Sequence, residues 1–198
     1  MHDELLNLLA ELERFGQAND ARNAERPRRM LNITHDTGEF LGVLVRALAA
    51  REVLEIGTSN GYSTLWLAEA ARSTGGVVTT VERSDYKVAL ASANFERAGL
   101  GASIRQIHDD AGEVLARLAE ASIDLLFLDS ERAEYAGWWP GLKRVLRPGG
   151  LLVADNAVSH AGELTEFVAL VRAEAGWASC LVPVGNGEFV AVKCGAAT

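Results

Sequence analysis

The sequence predicts a single α/β domain with a doubly wound, Rossmann-like sheet that ends in an antiparallel hairpin. Three observations carry this expectation. Short, continuously apolar runs recur at 52–56, 77–81, 103–107, 123–128 and 151–154, and such runs belong to a parallel sheet covered on both faces. Helical patterns near 62–71, 85–98, 111–120 and 131–146 separate them, the alternation of βαβ units with right-handed crossovers. A helix near 162–175 then leads to apolar runs at 178–182 and 188–193, which flank Pro183-Val184-Gly185-Asn186-Gly187. Asn-Gly between two such runs signals a hairpin. Five parallel strands and a hairpin make a seven-stranded sheet.

Residues 1–30 stand ahead of this pattern and 31–198 carry it. Leu5, Leu6, Leu8, Leu9 and Leu12 fall at helical spacing and predict an amphipathic helix over 3–15. The polar stretch 17–29, broken by Pro27, reads as a mobile connector. Its four arginines (Arg22, Arg26, Arg28 and Arg29) read as a solvated basic turn. Asp36 and Glu39 have capping-box spacing and open the next helix.

Composition narrows the function classes. The 198 residues are 48% hydrophobic and 23% charged, with a formal net charge of -8. That excludes a disordered polyelectrolyte and argues against nucleic acid as a partner. No apolar run is long enough to span a bilayer and no signal-peptide pattern opens the chain, so the expectation is a cytoplasmic protein with no membrane partner. Cys180 and Cys194 fall in or beside the last two strands, and an uncrosslinked pair fits that compartment.

The most informative segment is Val53–Ser63. A buried strand runs into a loop bounded by Gly57 and Gly61, and a helix opens at Tyr62 or Ser63. Glycine permits close backbone approach to a ligand, and a helix N-terminus offers free N–H groups to an anion. The spacing is E-x-G-x-x-x-G, not the G-x-G-x-x-G of dinucleotide folds. It favours the methionyl half of S-adenosylmethionine over a pyrophosphate. Glu55 is expected to face the cofactor's cationic half, with Thr58 and Ser59 in the loop and a Cβ on Gly61 obstructing the cofactor. Glu82 ends the second strand, with Arg83 beside it, placed to accept both ribose hydroxyls. Asp110 and Ala111, after the third strand, are placed for the adenine edge; Asp110 with Glu113 is equally a capping box.

Asp129 ends the fourth strand, and Asp155-Asn156 the fifth. Ligands of doubly wound sheets bind at these strand ends, where three hard oxygen ligands can converge on one divalent cation, Mg²⁺ or Ca²⁺. Such a cation acidifies and orients an acceptor hydroxyl. The competing reading makes Asp-Asn a turn and Asp129 a helix cap. His2, His35 and His108 show no metal-like clustering, and Trp138 and Trp139 read as helix packing.

Taken together, 31–193 resembles the cation-dependent O-methyltransferase family that includes catechol and caffeoyl-CoA O-methyltransferases. The resemblance lies in Val53–Ser63, Glu82, Phe127-Leu128-Asp129, Leu146-Arg147-Pro148-Gly149-Gly150, Ala154-Asp155-Asn156 and Val184-Gly185-Asn186-Gly187. It implies the class I methyltransferase sheet, a small-molecule acceptor with a phenolic hydroxyl, and a homodimer. It also implies cofactor contacts at Glu55, Gly57, Ser63, Glu82 and Asp129, and metal ligands at Asp129, Asp155 and Asn156. Asn32 matches the position before the first main helix, which brings Ile33 and Thr34 to the methionyl end. One departure stands out. The family carries a lysine base three residues after the metal aspartate, and this chain has Arg132. Arginine stays protonated, so it can stabilise a phenolate or hold an anionic acceptor but cannot serve as base. His160 is the candidate base in its place. Metal-free transfer to a carboxylate or nitrogen, and cofactor binding without turnover, are the alternatives.

Overall fold

The computed structural model describes residues 3–195; His2 and the final three residues lie outside that range. Helix α1 (Asp3–Arg22) buries Leu5, Leu8, Leu9 and Leu12 of its predicted leucine stripe. It runs past the expected end at residue 15, because polar side chains secure its last turns. Asn23 Nδ2 donates to the Asn19 carbonyl at 2.8 Å. The Asp20 carboxylate accepts from the backbone N–H groups of Met30 (2.6 Å) and Leu31 (2.8 Å). Asn19 Nδ2 reaches the Arg28 carbonyl at 2.9 Å. The expected mobile connector is thus a bonded strap with a short 3₁₀ turn at Arg26–Arg28.

Helix α2 (His35–Ala47) is capped by Thr34, whose hydroxyl accepts from Thr37 N–H. The Asp36/Glu39 capping box does not form. Asp36 instead accepts from Gly185 N–H at 3.1 Å, and Glu39 lies 3.6 Å from His35.

The sheet contains β1 (Glu52–Ile56), β2 (Val77–Glu82), β3 (Ile104–His108), β4 (Ile123–Leu128), β5 (Leu146–Ala154), β6 (Trp177–Val182) and β7 (Glu188–Lys193). Their order is β3-β2-β1-β4-β5-β7-β6. The first five strands are parallel, and β7 runs antiparallel to both neighbours. Helices α3 (Tyr62–Thr74), α4 (Asp85–Arg97), α5 (Ala111–Arg117), α6 (Tyr135–Val145) and α7 (Ala161–Ala173) fill the connections. Helix α5 stops short of the expected 120, as Leu118 turns extended. Strand β5 starts earlier than expected, taking in Arg147-Pro148-Gly149-Gly150 across an irregularity in its pairing with β4.

Alternate strand residues face opposite layers. Val53, Leu125, Phe127 and Val153 pack with α1, α2, α3 and α4. Leu54, Leu126, Leu128 and Leu152 pack with α5, α6 and α7. Continuous apolar runs follow directly from burial on both faces. Cys180 and Cys194 are free and exposed, and Cys180 stands opposite Val190. Trp139 is buried, with its ring edge on Phe167 and Trp177. Among the described residues no helix is long and apolar enough to cross a membrane.

Leu126 lies mid-strand in β4 with no exposed surface. Leu126→Ala is expected to cost about 2–5 kcal/mol by lost burial and an unfilled cavity. Urea denaturation would measure it, and a loss below about 1 kcal/mol would show that this layer closes over the gap.

Candidate active site

The order β3-β2-β1-β4-β5 reverses direction between β1 and β4, and ligands of such sheets bind beyond that reversal. A cleft of about 680 Å³ lies there. Gly57 and Ser59 line it after β1, Glu82 and Arg83 at the end of β2, Asp129 after β4 and Asn156 after β5. Ile33 and Thr34 join from the strap side, and Arg132 and His160 from the loops after β4 and β5. A recess of about 70 Å³ extends from Gly57 and Glu82 to Asp110, Ala111 and Trp138.

The loop after β1 divides into two rows. Gly57 takes φ +108°, and a Cβ there would collide with the Asp129 carbonyl; that close approach is why β1 and β4 can deliver their ends to one place. Ser59, at φ +47°, donates its hydroxyl to the Met30 carbonyl (2.7 Å) and its N–H to Glu82 (3.0 Å). Glu82 also accepts from Arg83 and Ser84 N–H groups at 3.0 and 2.9 Å. A carboxylate offers about four acceptor sites, so with three taken one remains for a ligand hydroxyl. Asp110 caps α5 through Gly112 and Glu113 N–H groups while lining the recess, so both of its expected roles are compatible.

The second row is hidden from the cleft. Glu55 is fully buried and accepts hydroxyl hydrogen bonds from Ser63 (2.5 Å), Thr80 (2.5 Å) and Thr64. The Glu55 carboxylate, expected to face the cofactor's cationic half, here ties β1 to β2 and α3. Thr58 is likewise turned inward, sharing a hydrogen bond with Thr80 at 2.6 Å. Tyr62 and Ser63 are buried in the first turn of α3. Gly61, at φ +85°, would place a Cβ 2.5 Å from the Phe95 ring. Its expected closeness to the cofactor gives way to close packing of α3 on α4. Burial pushes the Glu55 carboxyl up to about 7, against the pull of its three hydroxyl donors.

Acidic groups gather below the cleft floor. Burial first, and then the Asp155 charge, pushes Asp129 far above the usual carboxylate range. Asp155 and Glu188 are raised by burial too, and each feels the other. Thr37 donates to Glu188 Oε1 at 3.1 Å. Asp155 and Glu188 share a side-chain hydrogen bond, which keeps the proton on Glu188, while Asp155 Oδ1 and Glu188 Oε2 receive no N–H or hydroxyl donor. Asn156, at φ +67°, donates to Asp155 and accepts from Ser159 Oγ at 3.0 Å. That hydroxyl also stands 2.9 Å from His160 Nδ1. Arg132 is 6% exposed and donates Nε to Glu163 at 2.8 Å. Among the described residues no group of three His, Cys, Asp or Glu side chains is arranged to hold a metal ion, so an oxygen set here needs a donor such as the Asn156 amide.

The turn after β6 supports this floor. Ala157, Val158 and Ser159 donate N–H groups to the Gly187 and Asn186 carbonyls at 2.7, 3.2 and 3.1 Å. Sequence reasoning missed Glu188, although an acid among the apolar residues of 189–192 was a visible signal. It also missed Thr37, Lys87 and the cleft positions of Arg26 and Arg29.

The O-methyltransferase family profile matches residues 4–191. The chain belongs to the O-methyltransferase family. It is 36% identical over 149 residues to a catechol O-methyltransferase of Mycobacterium tuberculosis, covering 75% of this chain and 66% of that protein. A catechol O-methyltransferase of Niastella koreensis is 32% identical over 139 residues, 69% of this chain and 62% of that one. The chain thus spans about two thirds of the length of these two relatives. Among solved structures, an O-methyltransferase from Bacillus cereus in complex with S-adenosylhomocysteine superposes with TM-score 0.80 at 28% identity, covering 94% of this chain and 90% of that one. An O-methyltransferase from Streptomyces achromogenes involved in tomaymycin synthesis, in complex with S-adenosylmethionine, has TM-score 0.80 at 25% identity, covering 98% and 92%. The seven-stranded sheet of this O-methyltransferase is that of the class I methyltransferase fold, with β7 and β6 as its antiparallel end.

The raised Glu55 carboxyl sets a pH dependence. Between about pH 4.5 and 7 the folded enzyme keeps a proton that the unfolded chain has released, so stability falls as pH rises through that window. At about 1.4 kcal/mol per pH unit the fall is about 3 kcal/mol. Glu55→Gln is expected to remove that share, leaving what Asp129, Asp155 and Glu188 contribute; chemical denaturation at pH 5 and 7 would show an unchanged fall if the assignment fails. Gly61→Ala is expected to destabilise by about 1–3 kcal/mol through its positive φ and the Phe95 contact. A thermal melt as high as the parent's would contradict that packing role.

Proposed function

We propose that this O-methyltransferase moves the methyl group of S-adenosylmethionine to a phenolic, catechol-like hydroxyl of a small molecule, with a divalent cation, Mg²⁺ or Ca²⁺, held by Asp129, Asp155 and Asn156. The observation that carries the reading is that the Gly57–Glu82 cofactor wall shares one cleft with Asp129 and Asn156, next to the buried Asp155, whose Oδ1 receives no N–H or hydroxyl donor. A buried anionic oxygen without a donor is costly, and a hard cation beside Asp155 Oδ1 would relieve it. When bound, such a cation lowers the pKa of the acceptor hydroxyl and fixes its orientation.

The chain's own residues divide the remaining work. Glu82 has acceptor capacity left for a ribose hydroxyl, and the recess at Asp110, Ala111 and Trp138 suits the flat adenine. Ile33, Thr34, Gly57 and Ser59 border the methionyl end. Arg132 keeps its charge and steadies a developing phenolate. His160, beside the Ser159 hydroxyl, is the candidate to take the hydroxyl proton, since an imidazole nitrogen can act as a general base. The relatives named catechol O-methyltransferase support the phenolic acceptor. Cytoplasmic location and a homodimer belong to the same reading, on the family resemblance.

Labelled S-adenosylmethionine, a small catechol panel, and parallel reactions with Mg²⁺ and with EDTA test the reading. Transfer is expected with Mg²⁺ and lost with EDTA. Asp155→Ala should weaken Mn²⁺ binding, followed by electron paramagnetic resonance, at least about tenfold while S-adenosylhomocysteine still binds. Undiminished Mn²⁺ affinity in that variant would remove Asp155 from the ligand set.

A further inference from the structure

We infer that the methyl acceptor carries a fixed oxyanion, a carboxylate- or phosphate-type group, recognised by Arg29 and Arg132. The inference rests on the phenolic O-methyl transfer proposed above and specifies the acceptor within it.

It begins with the arginine run of the strap, which the sequence alone leaves as a solvated turn. The fold sorts its members. Arg28 points outward, with 72% of its side chain exposed and Glu25 at 3.2 Å. Arg26 and Arg29 line the cleft. Arg26 already faces Glu131 at 3.8 Å. Arg29 differs: its Nε is buried without a hydrogen-bond partner, and no ion pair engages it among the described residues. A buried donor left empty costs free energy until something accepts from it.

Arg132, on a separate element, lines the same cleft. Its Nε is committed to Glu163, and its two terminal nitrogens make no hydrogen bond among the described residues. Asp129 aside, which belongs to the ligand set proposed above, the acids on the cleft wall each hold a donor already. Asp20 holds the Met30 and Leu31 N–H groups, Glu131 faces Arg26, Glu82 holds the loop after β1, and Glu13 accepts from Gln17. The unfilled hydrogen-bonding capacity on these arginines is therefore donor and cationic. Planar guanidinium donors match a carboxylate or phosphate edge bidentately. An acceptor without a fixed anion would leave Arg29 empty, and an amine would be repelled.

Isothermal titration calorimetry of the full chain with S-adenosylhomocysteine and Mg²⁺ tests this, using 3,4-dihydroxybenzoate, its methyl ester and 3,4-dihydroxyphenylphosphonate as probes. The acid or the phosphonate is expected to bind at least about tenfold more tightly than the ester, as for a desolvated charge-assisted pair, and the tighter of the two identifies the oxyanion. Arg29→Gln should collapse the acid-to-ester ratio to within about twofold. Acid and phosphonate both binding no more tightly than the ester overturns the inference, as does an Arg29→Gln variant that loses S-adenosylhomocysteine affinity as strongly as oxyanion affinity, since Arg29 then serves the cofactor. If the ester and catechol bind and are methylated as well as the acid, the phenolic reading stands and this one falls. If S-adenosylhomocysteine binds and no ring diol does, both fall.

Discussion

A carboxylate that never meets the cleft holds the cleft in place. Glu55 sits at the heart of β1 and gathers hydroxyls from Ser63 and Thr64 on α3 and from Thr80 on β2. Those three bonds fix the angle at which the chain leaves the sheet and turns into α3. Gly57 then passes close against the Asp129 carbonyl, so the ends of β1 and β4 are set relative to each other by backbone contact. Ser59 carries the geometry outward, to Glu82 on one side and to Met30 of the strap on the other. A charged group in so dry a place is tolerated because every nearby hydroxyl points at it.

The opposite side of the cleft is organised by scarcity of partners. Asp129 crowds against the buried Asp155, which shares a hydrogen bond with Glu188, while Arg132 is turned partly away to Glu163. A structural ion-pair network would have closed these groups on one another. Leaving oxygens and guanidinium nitrogens unfilled is stable only where ligands complete them, which is the usual mark of a reaction site. The left-handed conformations of Ser59 and Asn156, on residues other than glycine and flanking the same cleft, fit that pattern.

The architecture was legible because burial on both faces writes itself as unbroken apolar runs, and Asn186-Gly187 marks the hairpin without ambiguity. The strand ends that carry Gly57, Glu82, Asp129 and Asn156 were legible for the same reason. What spacing could not show was orientation. Glu55 and Gly61 flank the same turn, yet one bonds Ser63, Thr64 and Thr80 and the other packs on Phe95, contacts that the folded arrangement of β2, α3 and α4 decides. The strap was misread for a related reason: its polar residues look solvated in sequence, but the Asn19 and Asp20 side chains bond backbone nine to eleven residues downstream. Glu188 escaped because its partners, Thr37 and Asp155, arrive from remote elements.

The hairpin turn deserves a last thought about time. Residues 186 and 187 hold the segment after Asp155-Asn156 by three backbone hydrogen bonds, Gly185 clasps the start of α2 through Asp36, and β7 slots between β5 and β6. During synthesis the cofactor wall can form from residues already made, whereas the floor beneath the acceptor waits for a strand translated some thirty residues after Asn156. A chain emerging from the ribosome would therefore be able to hold its nucleoside before it could position anything to react with it, as folding of the first half precedes closure by the second.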